Sequence, residues 1–247
     1  MKISFVIPFH NEEKNAGPMI EQVAAYAKGQ HWDFEVVPVD DRSTDKTKHV
    51  LETYAKRWKF VHPVYRDADS EHLGNTMGKS LVLGTKKSLG DIIIWTMGDR
   101  ADQPKTYGEI VKKINNGFDM VIGSRYMPGG SRGNLDPIKA FFSSFGTIIA
   151  RFLFNVPSHD ITNAFRGFRK EVLTNIKPRS PGYAISPEFA IRAHLIGYAI
   201  GEVPTTYYNR IEGTSSFKLF HMIIAYLAVY RDLGIHSLFH KKQTKTS

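Results

Sequence analysis

Two rhythms of hydrophobic and polar positions alternate along the first 125 residues. Short apolar or β-branched runs occupy 3–7, 34–39, 61–65, 92–97 and 120–122, and each predicts a buried strand. Between them, apolar residues recur at helical spacing. Met19, Val23, Tyr26 and Ala27 form one such set, and Val50, Leu51, Tyr54 and Trp58 another, so each predicts an amphipathic helix. Strand–helix alternation predicts βαβ units, that is, an α/β fold with a mainly parallel sheet flanked by helices. Crossovers in such a fold are right-handed, and ligands gather at the carboxyl ends of the strands.

Two later stretches differ. Ile138, Phe141, Phe142, Phe145, Ile148, Ile149, Phe152 and Leu153 make a wide apolar face at helical spacing, flanked by Lys139 and Arg151. Residues 217–239 place Tyr226, Tyr230 and two histidines among apolar residues, ahead of a basic HKKQTK end that opens on a third. Both predict C-terminal amphipathic helices. Either they cover the sheet as core, or they lie in a membrane interface. The apolar run at 3–7 is shorter than the core of a signal peptide. The longest apolar segment, 222–230, falls below the about 20 residues of a bilayer crossing, so neither a targeting nor a spanning segment is expected.

Charge narrows the partners. The 247 residues carry 33 Lys+Arg against 24 Asp+Glu, a net charge of +9. Such a surplus favours nucleic acid, anionic lipid or phosphorylated substrates. The basic residues are scattered and lack the aromatic interleaving of single-strand binders, so no nucleic-acid partner is expected. With no cysteine, disulfides, thiolate metal sites and cysteine nucleophiles are excluded.

The strand ends carry the candidate chemistry. Pro8, His10, Asn11, Glu12 and Glu13 follow the first run; Asp40, Asp41, Arg42, Ser43 and Asp45 the second; Asp99, Arg100 and Asp102 the fourth; Gly123, Ser124 and Arg125 the fifth. Singly, each is an ordinary exit to solvent. Together on one edge they would form a site acidic in three places and basic in the fourth. Asp99 and Asp102 form a D-x-x-D whose carboxylates repel unless a cation joins them. Mg²⁺ or Mn²⁺ takes one or two carboxylates and completes its shell from substrate phosphates. The plainer reading is a solvated turn with a capping Asp. Asp45 is placed to cap the next helix, which leaves Asp41 to accept hydrogen bonds from a ribose or base; a simple helix-start cluster is the alternative. Arg210, Gly213, Ser215, Ser216 and Lys218 form a cationic, hydroxyl-rich loop. It suits a diphosphate gaining charge as it leaves, or is simply a basic loop.

Two look-alikes are set aside. The stretch 74–80, GNTMGKS, is one residue short of a phosphate loop and follows a polar segment. The G-x-S-x-G at 129–133 lacks the strand and helix of a hydrolase elbow.

The ordered set IPFHNEE, VDDRSTDKT, LGDIIIWTMGDRADQP, VIGSRYMPGG, DITNAFRGFRKEVL, SPEFAIRAHLIGYAIGEVP and NRIEGTSSFK resembles a family 2 glycosyltransferase of the GT-A, Rossmann-like fold, most of all its dolichol-phosphate mannosyltransferase branch. The resemblance implies a glycosyltransferase domain at 1–216, followed by an amphipathic, membrane-surface segment at 217–247. It implies transfer of a sugar from a GDP- or UDP-sugar to a polyprenyl phosphate, with inversion by direct displacement. A different glycan or lipid acceptor, or a nucleotide-sugar-binding module without turnover, are the alternatives. Pro8, His10, Glu12 and Asp41, with Asp40 beside them, would hold the nucleoside; the position of His10 is usually Tyr. Asp99 and Asp102 would be the catalytic metal ligands for Mg²⁺ or Mn²⁺. The usual D-x-D is altered, with Gly98 and Arg100 at its two positions, so Arg100 would supply some of the cationic charge. Arg125, Arg210 and Lys218 would clamp the diphosphate, Arg125 as part of the catalytic set. Lys139 and Ser143 would meet the lipid phosphate. The implied location is peripheral, on the cytoplasmic face of a membrane.

Overall fold

The computed structural model describes residues 1–67, 75–208 and 219–243, with residue 219 and residues 235–243 described by backbone alone. The predicted alternation is present. Strand β1 (Lys2–Phe9) leads to α1 (Glu13–Gly29), β2 (Asp33–Asp40) to α2 (Thr47–Arg57), β3 (Val64–Tyr65) to α3 (Met77–Lys87), and β4 (Ile92–Trp95) to α4 (Lys105–Asn115). Then follow β5 (Met120–Ser124), α5 (Pro137–Phe154), β6 (Arg166–Arg169), α6 (Lys170–Ile176), α7 (Ile185–Leu195), β7 (Ile200–Pro204) and α8 (Leu219–Gln243). The described residues form one seven-stranded sheet in the order β3-β2-β1-β4-β6-β5-β7. It is mainly parallel, as expected; β6 runs antiparallel to both its neighbours, β4 and β5.

Side chains on a strand alternate between faces, and β1 sorts its residues accordingly. Ile3, Phe5, Ile7 and Phe9 enter a core layer with Met19, Ile20 and Val23 of α1 and Ile110 and Ile114 of α4. Val6 enters the opposite layer with Leu81 of α3, Phe189 of α7 and Tyr226 and Tyr230 of α8. Trp95 anchors that second layer. It is fully buried, lies edge-on to Phe168 at 5.0 Å, and donates from Nε1 to Thr85 Oγ1 at 2.9 Å. Truncating such a residue to Ala typically costs about 3–5 kcal/mol.

Strand β6 has no apolar run and was not predicted; its sequence is Arg-Gly-Phe-Arg. Antiparallel pairing on both sides holds it, and a Cβ at Gly167 would drive into Ile110 of α4. Glycine is required there by close approach.

Helices α5 and α8 pack against each other and bury one face each. On α5 this face holds Ala140, Ser143, Gly146, Thr147, Ala150 and Phe154. On α8 it holds Met222, Tyr226, Tyr230 and Leu233. Tyr230 donates to the carbonyl of Gly146 at 3.0 Å. By length and composition α5 is apolar enough to cross a membrane, with a mean hydropathy of 1.2 over 18 residues. Its polar bonds to the domain dock one face on protein instead. The other face is bare: Ile138, Phe141, Phe145, Ile148 and Phe152 are exposed on α5, and Phe220, Ile224 and Leu227 on α8.

Candidate active site at the carboxyl edge of the sheet

Topology brings the four predicted strand ends to one edge. Parallel pairing sets Phe9 beside Asp40 and Val6 beside Trp95. Since β6 is antiparallel to both β4 and β5, those two strands point the same way as β1. The same arrangement inserts the start of β6 between them, with Arg166 level with Trp95 and Ile122.

Three exits at this edge share an uncommon backbone. Asn11, Arg42 and Arg100 have φ of 54°, 59° and 61°. Asn tolerates this left-handed region, whereas for Arg it costs about 1 kcal/mol or more, and such strain collects at functional sites. Asn11 stitches two exits together, since its Oδ1 accepts from Thr44 N at 2.7 Å and its N–H donates to Ser43 Oγ at 2.9 Å.

Asp41 is 5% exposed and densely held. Oδ1 accepts from Arg66 Nη1 at 2.6 Å and Arg42 Nε at 3.1 Å, and Oδ2 from Thr76 Oγ1 at 2.7 Å. Its carbonyl accepts from His10 Nδ1 at 2.7 Å; His10 is exposed and Pro8 half-buried. Asp40 Oδ1 accepts from Ser43 N at 3.2 Å. Glu12 accepts from Asn15 Nδ2 at 2.6 Å. Asp45 does cap α2, accepting from Thr47 N at 2.9 Å.

The D-x-x-D is divided in role. Asp102 turns inward, where Oδ2 accepts from Thr96 Oγ1 and from Met97 N, each at 2.9 Å. Burial, aided by the charge of Asp99, pushes its carboxyl up to about 7. Asp99 stays half-buried at the rim, its Oδ1 accepting from Ala101 N at 3.2 Å. Arg100 reaches back to Gln22 Oε1 of α1 at 3.4 Å. Among the described residues no group of three His or acidic side chains could hold a metal ion. The protein's own hydrogen bonds thus engage Asp102 Oδ2, and a site of one or two carboxylates would complete a cation's shell from phosphate oxygens.

Arg125 is fixed rather than free-swinging. Nε and Nη2 grip Asp160 at 2.7 and 2.8 Å, and Nη2 also reaches Ser143 Oγ at 3.0 Å. Burial alone would lower the guanidinium's pKa, but the charge and hydrogen bonds of Asp160 hold it above the ordinary arginine range. Ser143 Oγ lies 2.5 Å from Thr162 Oγ1. Ser143 therefore joins α5 to the β5 exit. Lys139 is half-buried one turn earlier on α5. Arg210 and Lys218 lie outside the described residues.

Several members of this site carried no sequence signal of their own. Asp160 sits 35 residues from Arg125, and Arg66 and Thr76 sit 25 and 35 residues from Asp41. Arg166 is wholly buried, donating to the carbonyls of Ser186, Ile161 and Asn163. Burial lowers its guanidinium to about 9, with Asp160 pulling the other way. The phosphate-loop look-alike is also explained. Gly78 sits in α3 against the carbonyls of Ser180, Pro181 and Gly182, and Lys79 N donates to Pro181 O at 3.0 Å.

A clamped carboxylate, a rim carboxylate and a fixed guanidinium thus share one edge of a mainly parallel sheet. The model for glycosyl transferase family 2 matches residues 4–177, and the chain belongs to that family. It is 28% identical over 222 residues to a dolichol-phosphate mannosyltransferase of Pyrococcus furiosus, covering 88% of this chain and 60% of that protein. It is 28% identical over 217 residues to a polyprenol monophosphomannose synthase of Mycolicibacterium smegmatis, covering 86% of this chain and 80% of that one. A dolichyl-phosphate beta-glucosyltransferase of Trichomonas vaginalis is 26% identical, covering 99% of this chain and 76% of its own. The chain thus spans about three fifths of the Pyrococcus relative's length. Among solved structures, glucosyl-3-phosphoglycerate synthase from Mycobacterium tuberculosis with uridine-diphosphate superposes with a TM-score of 0.68 at 19% identity, over 93% of this chain and 80% of that one. The fold is GT-A.

Proposed function

We propose that this protein transfers a sugar from a nucleotide-sugar donor to a polyprenyl phosphate at a membrane surface. The observation that carries the reading is the hydrogen bond from Arg125 to Ser143. It ties the charged strand edge to a helix whose far side is a bare apolar face. A lipid phosphate seated near Ser143 and Lys139 would present its tail to that face. Between α5 and α8 lies an apolar cavity of about 120 Å³, lined by Phe142, Phe145, Ile149, Met222 and Tyr226 among others. The names of the relatives agree with a polyprenyl phosphate acceptor.

An acceptor phosphate is anionic at neutral pH and attacks the anomeric carbon without a strong base. Its oxygen bonds to that carbon as the bond to the donor diphosphate breaks, so the nucleoside diphosphate leaves with the electron pair and the sugar inverts. The chain's work is positioning and charge neutralisation. Pro8, His10, Asp40 and Asp41 hold the nucleoside. Arg125 orients phosphate oxygens, and Arg210 and Lys218 complete the clamp. Asp99 would hold a divalent cation, which neutralises charge on the diphosphate. The basic surplus favours an anionic, cytoplasmic membrane face.

The test is transfer of sugar label from a nucleotide-sugar to polyprenyl phosphate in detergent micelles, assayed with Mn²⁺ and with a chelator. Lipid-extractable product is expected, and it falls at least about a hundredfold in Arg125→Met, the size seen when an oriented charged donor is lost. Transfer only to water-soluble acceptors would overturn the acceptor assignment.

A further inference from the structure

Resting on the donor reading above, we propose that the base of the donor is uracil, selected by the way Asp41 is already bonded. A carboxylate offers about four acceptor positions, two per oxygen. On Asp41, both positions of Oδ1 are filled, by Arg66 Nη1 at 2.6 Å and Arg42 Nε at 3.1 Å. One position of Oδ2 is filled by Thr76 Oγ1 at 2.7 Å. Thr76 is itself fixed as a donor toward Asp41, because its oxygen accepts from Arg42 Nη2 at 2.6 Å. One acceptor position therefore remains, on Oδ2, next to the Thr76 hydroxyl that Arg42 also bonds.

The three common bases meet this pattern differently. Guanine presents two adjacent donors, N1–H and the N2 amino group, which bind a carboxylate best through both oxygens. Here one oxygen is closed, so one guanine donor would be left unpaired in a buried place. Cytosine presents the bare acceptor N3, which a carboxylate repels. Uracil presents a single donor, N3–H, between two carbonyl acceptors. That edge fits one open acceptor with a cationic side chain, Arg42, beside it. Arg42 is more open to a ligand than Arg66, with its side chain 24% exposed against 6%. Its left-handed φ of 59° folds the side chain back over its own neighbour. A strained arginine persists where its surroundings hold it for a purpose.

The experiment is calorimetric titration of the full chain with UDP, GDP and CDP, with and without Mn²⁺. UDP is expected to bind at least about tenfold more tightly than GDP or CDP, the scale of one unpaired buried donor or acceptor. In Arg66→Met the second position on Oδ1 opens, and the UDP-to-GDP preference should shrink by about the same tenfold. Equal or tighter binding of GDP would overturn the uracil assignment and leave the donor reading standing. A UDP preference unchanged in Arg66→Met would overturn the role of the filled oxygen. No binding of any of the three would overturn the donor reading and this inference together.

Discussion

Arg125 and Asp160 are joined three ways. The backbone N–H of Arg125 donates to Asp160 Oδ2 at 3.0 Å, its Nε to the same oxygen at 2.7 Å, and its Nη2 to Oδ1 at 2.8 Å. Asp160 has no exposed surface. The pair thus fixes both the exit of β5 and the direction in which the guanidinium points, leaving Nη2 to share Ser143 with α5.

Breaking a buried pair by removing one partner costs more than the pair itself contributes, because the survivor is stranded. Asp160→Asn should therefore lower unfolding free energy by about 3 kcal/mol, read from denaturant midpoints at constant slope. Arg125→Met/Asp160→Asn together should cost less than the sum of the single changes, the coupling expected of direct partners. Additive losses would mean that the two side chains act separately.

Ser143→Ala removes a hydroxyl that links Arg125 to Thr162. The loss of stability should be about 1 kcal/mol. If the hydroxyl also meets the acceptor phosphate, the KM for polyprenyl phosphate rises several-fold while the KM for the donor does not move. Equal rises in both constants would assign Ser143 to support of Arg125 alone.

Much of this architecture was legible in the chain because its signals are local. The runs at 3–7 and 34–39 became β1 and β2, and the spacing of Met19, Val23 and Ala27 became the buried face of α1. The strand-end residues met on one edge because parallel pairing has only one way to orient them. What escaped depends on distant partners. The four residues of β6 gain their strand geometry from neighbours on both sides. Nothing in the D-x-x-D spacing announces that Thr96 and Met97 will both bond Asp102 Oδ2. Nothing adjacent to Asp41 announces that Arg66 and Thr76 will occupy it.

Asp102 makes stability depend on pH in a definite direction. Burial raises its carboxyl from the ordinary 3.8 up to about 7, so between these values the folded chain binds the proton that the unfolded chain has released. Stability then falls as pH rises from about 4 to about 7, and is flat in this group above that. The decline could reach roughly 4 kcal/mol at about 1.4 kcal/mol per pH unit. Asp102→Asn keeps an acceptor for Thr96 and Met97 but has no proton to lose. The difference in unfolding free energy between the two proteins should thus slope across that window. Parallel profiles would show that Asp102 is ionised throughout.

The bare faces of α5 and α8 lead to a prediction that separates membrane contact from catalysis. Phe152 is 88% exposed and Ile148 59% exposed, so charged substitutions there should change stability by about 0.5 kcal/mol or less. In a bilayer interface each side chain would bury its apolar surface, at about 1.5–3 kcal/mol apiece. Ile148→Glu/Phe152→Glu should accordingly weaken partition onto anionic liposomes by about a hundredfold or more, with an unchanged melting temperature. Transfer to a short-chain polyprenyl phosphate in solution should persist, since neither residue bonds Arg125 or Ser143. High salt should release the unaltered protein only in part, because screening acts on the basic residues and leaves the apolar contribution intact. Undiminished liposome binding by the double variant would assign this face to something other than lipid.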